Sequence, residues 1–251
     1  MHFDSLRSIL VFAAFAAVPS GHGLAAQIPV EFQNLKVLPQ DISRDSLLLL
    51  MRSFSFATGL RCEGCHVLGE NNSFQGARFD LDEKANKRKA RFMLRMVNEL
   101  NQNVLVEMPE RDTPPLGVEC KTCHRGLAKP YLLRTELHRL LDEEGLEAAI
   151  ARYRVLRRSA VLRGTYDFGE WEMNELAREV EAAGNTVASV AFLELNAEFY
   201  PSSASIPGTL GPLYEKLGMR DKAITAYRRV LELDPDNRAA RERLDALGVG
   251  R

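Results

Sequence analysis

The pentapeptide Cys62-Glu63-Gly64-Cys65-His66 returns 58 residues later as Cys120-Lys121-Thr122-Cys123-His124. Two thiols three residues apart share one side of a helical turn, and the next residue sets an imidazole beside them. This is the attachment pattern of a c-type haem. Each thiol forms a thioether with one porphyrin vinyl group, and the histidine ligates the iron from one face. All 4 cysteines of the chain are used in this way. A redox dithiol or a four-cysteine zinc site accounts for the thiols alone. Zinc leaves both histidines unexplained, and a thioredoxin-type dithiol needs a strand–helix setting that the sequence lacks. Histidine is 5 of 251 residues, too few for one to follow both cysteine pairs by composition. The expected cofactors are two covalently bound haem c groups, held by Cys62, Cys65, Cys120 and Cys123 and ligated by His66 and His124.

Residues 1–26 read as an export signal. Arg7 precedes the apolar stretch Ile9–Val18, Pro19-Ser20-Gly21 break it, and Gly23, Ala25 and Ala26 offer a cleavage site. Such a stretch is short for a bilayer span, so an uncleaved membrane anchor is the alternative rather than the expectation. No cysteine stands near the cleavage point to carry a lipid. Export suits the chemistry, because c-type haem is attached outside the cytoplasmic membrane. The expected location is periplasmic.

With 33 basic and 34 acidic residues the net charge is −1, which gives no global pull toward nucleic acid. Alternating β-branched patterns are scarce, and the recurrent period is helical. The expected fold is mostly α: a compact dihaem cytochrome domain over 27–130, then a short tetratricopeptide-like α-solenoid over 131–251.

Within the first unit, Asp41 or Ser43 can cap a helix that carries Leu47–Leu50, Met51, Phe54 and Phe56 and stops near Gly59. A second helix is expected from about Asp82 to Val104, with Phe92, Met93, Met96, Val97 and Leu100 at core spacing. The run Lys87-Arg88-Lys89 reads as a solvated face, able to steer an acidic partner or pair with propionates. By spacing alone, Met51, Met93 and Met96 are each either core side chains or iron ligands.

Taken in order, Asn34–Pro39, Met51–His66, Ala90–Val97 and Val118–Gly126 resemble the photosynthetic reaction-centre cytochrome c subunit family. The likeness covers roughly residues 30–130. It implies that each haem takes its sixth ligand from a methionine on the helix before its own motif. Met51 would then serve the first haem and Met93 the second, with Met96 as the fallback. Family subunits that dock on reaction centres resemble two such halves with four haems and a lipid-attachment cysteine, whereas here there is one half. The implied function is electron transfer between periplasmic or membrane-bound redox proteins. A thioether ligand favours Fe(II), and a fully ligated iron has no open position for bond chemistry, so no enzyme activity is expected.

Beyond Pro130 a 34-residue period emerges. It relates Gly184 to Gly218, Pro201 to Pro235, Val190 to Ile224 and Leu193 to Tyr227. This is the tetratricopeptide period, and Gly145–Leu156 reads as a degenerate copy. Such helix pairs either dock a protein partner or cap the haem unit. Trp171 is expected in the core and His138 on a solvated helix face. Two other functions compete: a dihaem peroxidase-type enzyme with one five-coordinate iron, and a haem-bearing scaffold or sensor.

Overall fold

The computed structural model describes residues 31–249 apart from 111 and 161–163, so the expected export signal lies outside the described residues. Among the described residues there are ten α-helices, and the β content is one isolated bridge between Val67 and Arg78. The fold is mostly α, as expected.

The first helix, α1 (Arg44–Thr58), starts where the sequence places its cap: Ser43 Oγ accepts from the Ser46 amide at 3.2 Å. It stops at Gly59, whose φ of 70° is the left-handed turn that glycine adopts most cheaply. The second helix, α2 (Ala85–Glu99), begins three residues later than expected and ends in a π-turn over Leu100–Val104. The delay has a local cause. The Asp82 carboxylate is taken up by Lys36 Nζ at 2.7 Å, Arg91 Nη1 at 2.7 Å and Asn34 Nδ2 at 2.9 Å. It ties the entering chain to α2 instead of opening the helix.

The expected apolar core of α2 is not formed among the described residues. No α2 residue is buried, and Phe92 is 62% exposed. Before Leu133, Leu47 and Ala57 are the buried apolar side chains among the described residues. Burying a leucine contributes on the order of 2 kcal/mol, whereas ordering each residue costs about 1–2 kcal/mol of backbone entropy. Two such side chains do not offset the ordering of this region.

The contiguous core begins at Leu133 and runs to Leu244. It fills three helix hairpins: α4 (Leu133–Glu144) with α5 (Leu146–Ala160), α6 (Glu170–Ala182) with α7 (Thr186–Phe199), and α8 (Ser205–Lys216) with α9 (Arg220–Leu233), followed by α10 (Arg238–Ala246). Both ends of α7 and α9 are offset by 34 residues, so the sequence period is structural. Gly211 shows why a small residue is needed: a Cβ there would lie 2.4 Å from Tyr227 Cε1. The degenerate copy, 145–156, is the turn at Gly145 (φ 92°) and most of α5, the second helix of the α4–α5 hairpin. Trp171 corrects the sequence reading, since it is 70% exposed. It sits two residues before Met173, about 200° around α6 from the face that Met173, Leu176 and Val180 bury. His138 lies on the helix surface, its Nδ1 3.2 Å from Asp142 Oδ2.

Candidate functional site

Each Cys-x-x-Cys-His segment folds as a helical turn. In the first, a 3-10 turn over Cys62–Gly64 is prolonged by the His66 amide, which donates to the Cys62 carbonyl at 2.8 Å. The loop that follows folds back through the Val67–Arg78 bridge and lays Phe79 edge-on to the His66 ring, with centroids 5.1 Å apart. From α2, Asn86 Nδ2 donates to the Gly64 carbonyl at 3.1 Å. Cys62 is exposed; Cys65 is half-buried, and burial pushes its thiol up. Burial, followed by the charges of Lys87 and Arg91, pushes the His66 imidazole down to about 4. It is neutral at physiological pH, the form that ligates a metal. Its Nδ1 is buried without a hydrogen-bond partner in the protein.

The second motif is the five-residue helix α3 (Cys120–His124), opened by a capping box between Glu119 and Thr122. Arg125 (φ 47°) and Gly126 (φ 95°) reverse the chain and bring the Leu127 carbonyl 2.7 Å from His124 Nδ1. A carbonyl only accepts, so Nδ1 carries the proton and the Nε2 lone pair is left for a ligand. Cys120 is half-buried and Cys123 exposed.

Helix α1 joins the two motifs. The Gly126 amide donates to the Ala57 carbonyl at 2.7 Å. A Cβ on Gly59 would stand 2.4 Å from the Gly126 oxygen. Thus the end of α1, three residues before Cys62, rests on backbone two residues after His124. Among the described residues no three or more His, Cys, Asp or Glu converge as a metal cluster.

A cavity of about 1050 Å³ lies beside the second motif, lined by Leu50, Phe54 and Ala57 of α1, Leu94 and Val97 of α2, and Cys120. Cofactor sites span roughly 300–1,000 Å³, so the cavity is of haem size; Cys120 and the Arg125–Leu127 turn stand on its wall, whereas Cys123 and His124 do not line it. The half-buried Met51, Met93 and Met96 do not line it.

A sequence model of the photosynthetic reaction centre cytochrome C subunit family matches residues 10–148, more than half of the 251-residue chain. The chain belongs to this family. The reaction-centre cytochrome family is one of haem c electron carriers, which accords with the two thiol–imidazole turns. The match also runs past residue 130, where the sequence likeness ended, through α4. Among curated proteins none matches the chain. Among the described residues of this family member, no helix is long and apolar enough to cross a membrane.

The basic run is not simply a solvated face. Lys87 Nζ donates to the Phe79 carbonyl at 2.7 Å and the Leu81 carbonyl at 2.6 Å, and Arg88 Nη1 donates to the Asp82 carbonyl at 2.6 Å. Cations at a helix N-terminus oppose its dipole; here the carbonyls and Asp82 offset that. Hydrogen bonds from Arg91, then Lys36, hold the Asp82 carboxyl well below the usual carboxylate range. A depressed folded pKa stabilises above the unfolded value of about 3.9 and is lost as pH falls below it. Hydrogen exchange is therefore expected to show residues 31–99 loosening between about pH 5 and pH 2. Asp82→Asn should be weaker at neutral pH and flatter across that window. An unchanged acid limb in the variant would remove Asp82 from this role.

Proposed function

We propose that the protein is an exported, periplasmic dihaem c-type cytochrome that passes single electrons between redox proteins. Cys62 and Cys65 hold one haem and Cys120 and Cys123 the other, with His66 and His124 as proximal ligands. When bound, haem c supplies a reversible one-electron couple. The chain's own task is to orient the imidazoles, exclude water and keep the two sites adjacent. The observation that carries this reading is the second site: His124 tied through Nδ1 to the Leu127 carbonyl, beside an apolar cavity with Cys120 on its wall.

Met51 and Met93 are the sixth ligands in this reading. On α2, Leu94 and Val97 face the cavity. At about 100° per residue, Met93 lies roughly 70° and Met96 roughly 130° from the middle of that face, which favours Met93. On α1, Leu50, Ser53, Phe54, Ser55, Phe56 and Ala57 line the cavity, and Met51 does not. That leaves it off the second site, as a ligand to the first haem requires.

The haem unit covers 27–130 and the helical repeats 131–251. The repeats dock a redox partner, a role supported by Trp171 and Val187, which are 70% and 61% exposed on α6 and α7.

The test is a visible spectrum and redox titration of periplasmically matured protein, with haem measured per chain, for the parent, Met51→Ala and Met93→Ala. Two low-spin haems are expected in the parent. Each variant should lose the methionine–iron charge-transfer band of one haem and lower that haem's potential. A high-spin, peroxide-reactive haem in the parent would replace this reading with a peroxidase-type enzyme.

A further inference from the structure

The cavity at the second motif is not closed by the haem region alone. Leu156 and Ser159 of α5, and Thr165 and Tyr166 of the segment between α5 and α6, complete its wall. Thr165 is buried although polar, and a Cβ placed on Gly126 would lie 3.8 Å from its Oγ1. The wall is therefore packed against the backbone that turns the chain behind His124.

The segment is held in place by a dedicated set of contacts. Arg157 Nη1 donates to the Tyr153 hydroxyl at 3.0 Å and to the Phe168 carbonyl at 3.1 Å. The guanidinium carbon lies 4.2 Å from the Phe199 ring centroid and 5.5 Å from that of Tyr200. Tyr200 also donates its hydroxyl to the Phe168 carbonyl. One guanidinium among aromatic rings, with two donors on one carbonyl, fixes the end of the segment to the repeats.

The period of the repeats breaks at this place. Gly184 and Gly218 are 34 residues apart, but Gly145 and Gly184 are 39 apart. Most of the excess is in the connector: residues 161–169 join α5 to α6, whereas 200–204 join α7 to α8. The longer connector is the one that reaches the cavity.

We propose that the helical repeats form part of the second haem pocket, so that Leu156, Ser159, Thr165 and Tyr166 govern the solvent exposure of that haem and not of the first. This rests on a haem attached at Cys120 and Cys123. More water around a haem favours the charged Fe(III) state and lowers the potential.

The experiment uses the full chain matured in the periplasm, with Tyr166→Ala and, because a core residue can disturb folding, Ser159→Asp, which brings charge and water to the wall at an exposed position, as an independent second variant. Peptide mass spectrometry first establishes haem on the 120–124 peptide. Redox titration is then expected to show one of the two potentials falling while the other stays. Tyr214→Phe, which loosens the repeats away from the cavity, should move neither. Hydrogen exchange supplies the reciprocal readout. Protection of residues 164–169 should drop in the Cys120→Ser, Cys123→Ser chain and persist in the Cys62→Ser, Cys65→Ser chain. Haem present on 120–124 with unshifted potentials and unchanged protection of 164–169 would overturn this inference and leave the dihaem reading standing. A bare 120–124 peptide would overturn both.

Discussion

A chain carrying Cys120→Ser and Cys123→Ser is expected to hold one haem where the parent holds two, a halving of pyridine-haemochrome absorbance per chain. The two motifs are chemically independent as attachment sites, because each has its own thiol pair and its own histidine on its own helical turn. Their structural consequences differ. The second lies beside the apolar cavity lined by α1 and α2, and α2 buries none of its own residues against protein. In the dihaem reading, loss of a haem held in that cavity should therefore cost more in thermal stability than the reverse pair, Cys62→Ser and Cys65→Ser. Truncating one large buried side chain costs about 2–5 kcal/mol, and a porphyrin buries more than any side chain. Retention of two haems would show that thioether attachment at the second motif is dispensable. Loss of both would show that the motifs mature as one unit.

Local structure was legible in the sequence because helix caps act locally. Ser43 and Gly59 bound α1 where cap preferences put them. The 34-residue spacing survives as the offset between α7 and α9. What misled was hydrophobic periodicity. Phe92 follows core spacing on α2, yet it is 62% exposed. Periodicity reports that a face wants cover without saying whether protein or cofactor provides it. Trp171 departs for a different reason: its residue type favours the core, whereas its angular position on α6 excludes it from the buried face. The part of the pocket contributed by Thr165 and Tyr166 had no local signal. Its trace was the break in repeat spacing after Gly145, which acquires meaning only when the fold brings that connector to Gly126. Long-range contacts of this sort are set by tertiary packing, and single-residue preferences do not encode them.

Gly59→Ala is expected to weaken the haem region and to act on both motifs at once. Gly59 has a φ of +70°, and a left-handed conformation costs a residue with a Cβ about 1–2 kcal/mol. Its Cβ would also meet the Gly126 carbonyl oxygen at 2.4 Å. The obstacle is backbone, held by the hydrogen bond that the Gly126 amide donates to the Ala57 carbonyl, so no side-chain rotation relieves it. Forced repacking of this kind adds about 1–3 kcal/mol. Gly76 separates the two contributions: its φ is +77°, but nothing lies within 4 Å of the added Cβ. Gly76→Ala should show the conformational cost alone, and thermal unfolding should place Gly59→Ala clearly below it. The redox titration makes the sharper distinction. Because Gly59 stands three residues before Cys62 and presses on backbone two residues after His124, its substitution should displace both potentials together. A Gly59→Ala chain no weaker than Gly76→Ala, or one in which a single potential moves, would mean that the α1–α3 contact does not tie the two sites to each other.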